Sequence, residues 1–196
     1  DQVESAITNK TKAIVPVHFT GYMTDMRKLL PIAAEYKVPI VEDACQSILG
    51  AIGGKNAGTW GRLGAFSLHP LKNLNVWADG GIVTTDDTDL AIQLRLLRNH
   101  GLVGRDTVQI LGCNSRLDTI QAAILIEKLK MLNSLNKKRK NIAKFYSKNI
   151  NNDKINKLIY SKSCVYHQYV ILTKNRNKLT KILTKNRIPY GFHYPY

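Results

Sequence analysis

The sequence predicts an α/β fold: a mostly parallel sheet with helices on both faces, followed by the start of a small α+β unit. Two observations predict it. Short apolar runs recur along the first part of the chain, each stopping at a polar cluster and parted from the next by a helical pattern or a long loop. Parallel strands buried on both faces read this way. Hydrophobic residues make up 44% of the 196 residues, a globular fraction that argues against a disordered tail.

Taken in order, Ala13-Ile14-Val15-Pro16-Val17 reads as the first buried strand, ending at His18 and Gly21. Thr24 is placed to cap a helix over residues 25–36, with Met26, Leu29, Leu30 and Ala33 on one face and Pro31 inside it. Val38-Pro39-Ile40-Val41 is the second strand and stops at Glu42-Asp43. A loop carrying Gly53, Gly54, Gly58 and Gly61 leads to a third strand, Ala65-Phe66-Ser67-Leu68, which ends near His69-Pro70-Leu71-Lys72. Gly80-Gly81 introduces Ile82-Val83-Thr84, and a helix is expected over residues 88–98. A helical pattern with few breaks covers residues 116–148. Residues 165–172 read as a strand and 176–186 as a helix. There is no internal repeat, and the Lys-rich stretch 136–156 is the nearest approach to low complexity.

The formal net charge is +15, and it is unevenly placed. Residues 1–128 carry 13 basic and 13 acidic side chains; residues 129–196 carry 16 basic and one acidic, Asp153. Such an excess suits an anionic partner, or is a Lys/Asn-rich bias on solvated helix faces. No stacking aromatic series, helix-turn-helix, zinc-finger or RNP pattern accompanies it, so no nucleic-acid partner is expected. No apolar run reaches the roughly 18 residues that span a bilayer, so no membrane partner is expected either. Cys45, Cys113 and Cys164 are too far apart for a CxxC pair, and their odd number speaks against a secreted disulfide framework. A reducing cytoplasm fits best. The five His are scattered, and no metal site is expected. The chain opens without an initiator Met or signal peptide and ends without a stop signal, and it reads as a fragment.

In open α/β sheets, ligands bind beyond the carboxyl ends of the strands. His18, Asp43, and Ser67 with Lys72 fall at such ends. A carboxylate and a lysine at the mouth of a sheet suit pyridoxal phosphate, which needs a lysine for its Schiff base and a carboxylate to keep its ring nitrogen protonated. Ser67 would supply a hydroxyl to the phosphate. Taken alone, a strand-end Asp and a loop Lys occur in most α/β proteins. His18 also reads as a hydrogen-bonded structural histidine, and Cys45, with no basic partner evident, as small core filler. His69 lies over the site, packs or faces solvent, and Trp77 and Tyr22 touch substrate or simply pack.

Wording changes the odds. Glu42-Asp43-Ala44-Cys45-Gln46-Ser47, then Gly64-Ala65-Phe66-Ser67-Leu68-His69-Pro70-Leu71-Lys72-Asn73-Leu74, then Asp79-Gly80-Gly81 resemble the DegT/DnrJ/EryC1/StrS family of pyridoxal-phosphate-dependent sugar aminotransferases. The resemblance continues in Val17-His18-Phe19-Thr20-Gly21, Arg98-Asn99-His100-Gly101, Gly112-Cys113-Asn114-Ser115-Arg116-Leu117-Asp118, Ile120-Gln121-Ala122-Ala123 and, loosely, His193-Tyr194-Pro195. It implies a fold-type-I transferase. Residues 1–130 would be the C-terminal part of the large cofactor-binding domain and 131–196 the N-terminal part of the small domain, both incomplete. It implies that Lys72 matches the Schiff-base lysine, Asp43 the carboxylate paired to the ring nitrogen, Gln46 the amide near the ring hydroxyl and Ser67 a phosphate ligand. Asn114 matches an asparagine that reaches the phosphate of the neighbouring subunit's cofactor, which implies a homodimer with shared active sites; read from the residues alone, Asn114 caps the helix that follows. The expected reaction moves an amino group from an amino acid, glutamate by expectation, to a nucleotide-linked keto-sugar. Lys72 speaks against the branch that carries histidine there and dehydrates its sugar. Two rivals stand beside this: a non-catalytic relative kept as a regulatory module, and a nucleic-acid binder built on the basic tail. The front third of the family pattern has no counterpart here.

Overall fold

The computed structural model describes residues 2–192. A short helix α1 (Gln2–Ala6) precedes an extended segment and a 3-10 turn (Phe19–Gly21). There follow α2 (Met26–Glu35), β1 (Val41–Asp43), the small strands β2 (Ala51–Ile52) and β3 (Lys55–Asn56), β4 (Leu63–Ser67) and β5 (Gly81–Thr84). Helices α3 (Thr88–Leu97) and α4 (Thr119–Asn149), strands β6 (Asn156–Lys157) and β7 (Ile171–Leu172), and helix α5 (Arg176–Lys185) complete the order.

The central sheet runs β1-β4-β5. β1 and β4 are parallel, with Val41 opposite Leu63 and Asp43 opposite Ala65; β5 is antiparallel to β4, with Ser67 opposite Gly81. The first expected strand lies along the other side of β1 but touches it only through two isolated parallel bridges, Ile14 with Ile40 and Val17 with Asp43. Pro16 is the reason. Ile14 N donates to Pro39 O, Val41 N to Ile14 O, Asp43 N to Pro16 O and His18 N to Asp43 O. The one rung missing from that ladder would need an N–H on residue 16, which proline lacks.

Other boundaries shift for equally local reasons. Asp25, not Thr24, caps α2, accepting from Arg27 N at 3.3 Å; Pro31 sits inside a continuous helix. β1 takes in Glu42 and Asp43 instead of stopping before them, because their backbones pair with β4. The glycine-rich loop folds part of its length into the hairpin β2–β3. β4 starts at Leu63 and ends at Ser67. Residues 165–170 form no strand. Val165 N donates to Gly21 O and Gln168 N to Thr20 O, so these groups serve the 3-10 turn and not a sheet. Gly21 permits that approach: its φ is +98°, and a Cβ there would lie 2.9 Å from the backbone nitrogens of Tyr166 and His167.

Among the described residues, three apolar clusters fasten these elements. Met26, Leu29 and Ala33 of α2 pack with Ile40 beside the sheet. Leu68, Leu74 and Val76, from the segment joining β4 to β5, pack with Leu125 and Leu132 of α4. Ala143 of α4 packs with Cys164 and Tyr166, with Tyr22, Tyr160 and Tyr169 around them. α4 therefore braces both the segment after β4 and the coil at 164–166. Among the described residues no helix is long and apolar enough to cross a membrane.

Candidate active site

Strand alternation sends Glu42 and Asp43 to opposite faces of β1. Glu42 goes inward and is fully buried. Its Oε1 accepts from Trp60 N at 2.6 Å and Gly61 N at 2.7 Å; its Oε2 accepts from Gly58 N at 2.9 Å and lies 2.9 Å from His18 Nε2. His18 Nδ1 accepts from Thr24 N at 3.2 Å, so the ring proton sits on Nε2 and is donated to Glu42. Burial opposes ionisation of Glu42, but the His18 donation and the three backbone donations outweigh it and hold the carboxyl below its ordinary range. His18 is thus the structural histidine expected. Glu42, read in the sequence only as part of a strand stop, is the group that fixes the loop at 58–61 to β1.

Asp43 faces the other way, at the carboxyl end of β1, and its Oδ1 accepts from Cys45 N at 3.1 Å. Ser67 ends the neighbouring parallel strand β4, and its Oγ accepts from His69 N at 3.3 Å, leaving the hydroxyl proton to donate. The chain then makes a turn, His69-Pro70-Leu71-Lys72, closed by Lys72 N donating to His69 O at 2.9 Å, with proline at the position whose φ it presets. Lys72 O accepts from Asn75 Nδ2 at 2.7 Å. Leu74 and Val76 then sink into the core, anchoring the turn from behind. Lys72 is half-buried, and none of the ion pairs formed among the described residues involves it.

Cys45 registers how these groups converge. Its Sγ lies 3.7 Å from Ala65 O. Burial first, then the hydrogen bond and charge of Asp43, push the thiol pKa up to about 11, while the charge of Lys72 and the backbone of Ser67 pull it down. Asp43 at the end of β1 and Ser67, with the turn that bears Lys72, at the end of β4 thus share one carboxyl edge with the half-buried Cys45. A thiol held protonated is no nucleophile at neutral pH, which agrees with its reading as filler. Gln46 joins the same edge: its Oε1 accepts from Thr20 N at 2.6 Å, across the 3-10 turn, and its Nε2 remains to donate.

Asn114 is elsewhere. It pairs in an isolated bridge with Asn99, its Oδ1 accepts from Arg116 Nε at 3.1 Å, and it is exposed. It does not cap α4, whose cap position belongs to Asp118. Its neighbours Cys113, Ser115 and Arg116 border an open cavity of about 1130 Å³ between β5 and α3. That cavity touches none of Asp43, Gln46, Ser67 and Lys72.

Tyr22 packs edge-on against Tyr166 and donates to Ile159 O at 2.7 Å. Trp77 and His69 are exposed. His193 and the rest of the closing motif lie outside the described residues. Among the described residues no cluster of three or more His, Cys, Asp or Glu could hold a metal ion. The sequence reading missed a buried amide pair, Asn73 and Asn136. Its signal was present: Asn136 interrupts the apolar stripe Leu125, Leu132, Ala143 along α4.

The donor set fits pyridoxal phosphate. A strand-end carboxylate, a lysine free of ion pairs, a hydroxyl and an amide donor share one edge of the sheet. A model of the DegT/DnrJ/EryC1/StrS aminotransferase family matches residues 1–196. The chain belongs to that family. It is 35% identical to UDP-N-acetyl-3-dehydro-alpha-D-glucosamine 3-aminotransferase of Acidithiobacillus ferrooxidans, over 98% of this chain and 53% of that protein. Its fold superposes on DesV of S. venezuelae, solved in complex with a ketimine intermediate, with a TM-score of 0.91 and 36% identity, over 99% of this chain and 53% of that one. NtdA from Bacillus subtilis, solved with bound cofactor PMP, gives a TM-score of 0.89 and 32% identity, over 99% of this chain and 46% of that one. This member of the DegT/DnrJ/EryC1/StrS family thus spans about half the length of the relatives it matches. The fold-type-I expectation holds.

Proposed function

We propose that this chain carries the lysine side of the active site of a pyridoxal-phosphate-dependent aminotransferase, which moves an amino group from an amino acid, glutamate in our reading, to a nucleotide-linked keto-sugar. The observation that carries this is the placement of Asp43 at the carboxyl end of β1 and of Ser67, with the turn that bears Lys72, at the carboxyl end of its parallel neighbour β4. The names of the relatives point the same way: one acts on a UDP-linked amino-sugar precursor, and another was solved with PMP. The intact set Asp43, Gln46, Ser67 and Lys72 favours an enzyme over a silent relative of the same fold.

Pyridoxal phosphate, when bound, supplies the electron sink that makes the carbon beside an amine acidic. The residues divide the rest. Lys72 would hold the cofactor, and its amine would take and return the proton at the reacting carbon. The turn at 69–72 gives that amine a fixed base to move from. Asp43 would hold the ring nitrogen protonated through its carboxylate. Gln46 offers its Nε2 hydrogens to an anionic ring oxygen, and Ser67 its hydroxyl to a phosphate. Asn114, oriented by Arg116, would offer its remaining amide hydrogens to a partner subunit's phosphate in a homodimer. A soluble cytoplasmic location completes the reading.

Borohydride reduction of the full-length protein with pyridoxal phosphate, followed by peptide mapping, tests it. The label is expected on Lys72. A label on Lys37 or Lys55 overturns the assignment.

A further inference from the structure

The residue after Lys72 turns into the protein. Asn73 is 8% exposed, and Asn136 of α4 is 6% exposed. Asn73 Nδ2 donates to Asn136 Oδ1 at 2.9 Å and to Val165 O at 3.2 Å. An amide oxygen can only accept, so across the 3.3 Å between Asn73 Oδ1 and His167 Nδ1 the histidine is the donor. Asn136 Nδ2 donates to Ile48 O at 3.2 Å, two residues beyond Gln46. One pair of buried amides therefore joins the turn that carries Lys72, the loop that carries Gln46, helix α4 and the coil at 165–167.

An apolar side chain on the stripe of α4 would fill the place of Asn136 without desolvating an amide. What the amides add is direction. Each bond holds only when the turn, the loop and the helix stand in one register, and a satisfied buried network rigidifies what it joins. Lys72 is fixed on one side by its turn bond to His69 and on the other by its neighbour Asn73. A displacement of about 1 Å in the base of a reacting group costs on the order of 10²-fold.

We propose that Asn73 and Asn136 are positioning residues for the site on Asp43, Gln46, Ser67 and Lys72, setting where the Lys72 amine stands when it captures pyridoxal phosphate. The proposal rests on the cofactor reading above. Neither amide touches the cofactor; both act through the backbone of Lys72 and of the Gln46 loop.

The test uses the full-length protein and pyridoxal phosphate itself. Two quantities are measured: the rate at which Lys72 captures the cofactor, by timed borohydride quenching and peptide mapping, and the circular dichroism of the bound cofactor's absorption band, which reports a fixed orientation. Asn73→Ala and Asn136→Ala are each expected to slow capture roughly 10-fold or more and to weaken the band. The double variant is expected to lose less than the product of the two single losses, because both cut the one link from the Lys72 turn to the Gln46 loop. Leu29→Ala, in the separate apolar cluster of α2 with Met26, Ala33 and Ile40, is expected to lower the thermal midpoint while keeping rate and band. Should Asn73→Ala fail to fold, Asn136→Ala carries the same comparison. Wild-type rate and band in the single variants overturn the proposal, as does an equal loss in Leu29→Ala. Absence of label on Lys72 in the wild-type protein overturns the cofactor reading, and this proposal with it; label on Lys72 together with unaffected variants overturns this proposal alone.

Discussion

The edge that carries Lys72 and the surface that carries Asn114 are held in different ways. Around Lys72 the side chains rest on buried supports: the Glu42 carboxylate with its four donors, the apolar anchors Leu74 and Val76, and the Asn73–Asn136 pair. Around Asn114 the supports are themselves on the surface, and Arg116 reaches both Asn114 Oδ1 and Asn99 Oδ1, at 3.1 and 3.2 Å. A site that must move protons needs the first kind of support, because geometry there is part of the rate. A contact completed by another surface can be built the second way.

The largest effect belongs to the first region. Asp43→Asn keeps the shape of the strand end and the acceptor for Cys45 N but removes the charge. Turnover of the full-length enzyme is expected to fall roughly 10²–10³-fold, with cofactor still partly bound, since a fixed charge at the reacting system is among the larger contributions to catalysis. Steady-state rates beside cofactor absorbance decide it. Near-normal turnover would mean that another group holds the ring nitrogen, and the contrast between the regions would lose its chemical half.

The supports themselves come next. Glu42→Gln replaces one of two acceptor oxygens with an amide that faces N–H donors, and a cost of about 2–3 kcal/mol is expected from hydrogen bonds to a charged group lost in a buried place. The pH dependence has a definite sign. The folded-state pKa of Glu42 is lowered, so its contribution is complete above the ordinary carboxylate range and is lost as pH falls through the folded value. Urea midpoints from neutral to acid pH should show the wild type losing ground on the acid side, with the variant lower at neutral pH and flatter. Equal midpoints at neutral pH would show that the loop at 58–61 is held by something else.

How much of this was legible follows from what each feature depends on. The α/β class and the order of strands and helices follow from apolar runs, a local property. Asp43, Ser67 and Lys72 could be picked out because strand ends are where an open sheet binds ligands and because their wording matched a family. The split strand at residues 13–17 was legible in principle, since Pro16 lacks the donor a ladder needs. The coil at 165–170 was not: Val165 and Gln168 give their N–H groups to a turn far away in the chain, and nothing in the local pattern says so. Glu42 reads in the sequence only as part of a strand stop beside Asp43, and only its burial shows what it holds. Asn136 was hidden by its lysine-rich surroundings, although its spacing from Leu132 and Ala143 put it on the inward stripe.

The smallest effect sharpens the comparison most. If Asn114 serves a partner's site, its loss should weaken catalysis without disturbing its own chain's strand ends. One charge-assisted hydrogen bond to a phosphate is worth roughly 10–100-fold, so Asn114→Ala should be impaired but folded, with Lys72 still labelled by pyridoxal phosphate. Arg116 orients the amide: with Oδ1 accepting from the guanidinium, the Nδ2 hydrogens face away and can donate to an anion. Complementation separates the possibilities. Let one full-length subunit carry Lys72→Ala and the other Asn114→Ala. With shared sites, one site of the mixed dimer collects both defects and the other none, so mixing two weak variants restores up to one working site per heterodimer. With sites confined to one chain, each site keeps one defect and mixing restores nothing. The expected result is recovery in verified heterodimers. No recovery, with Asn114→Ala folded and impaired, would assign Asn114 to its own chain and make the surface region a part of the Lys72 edge after all.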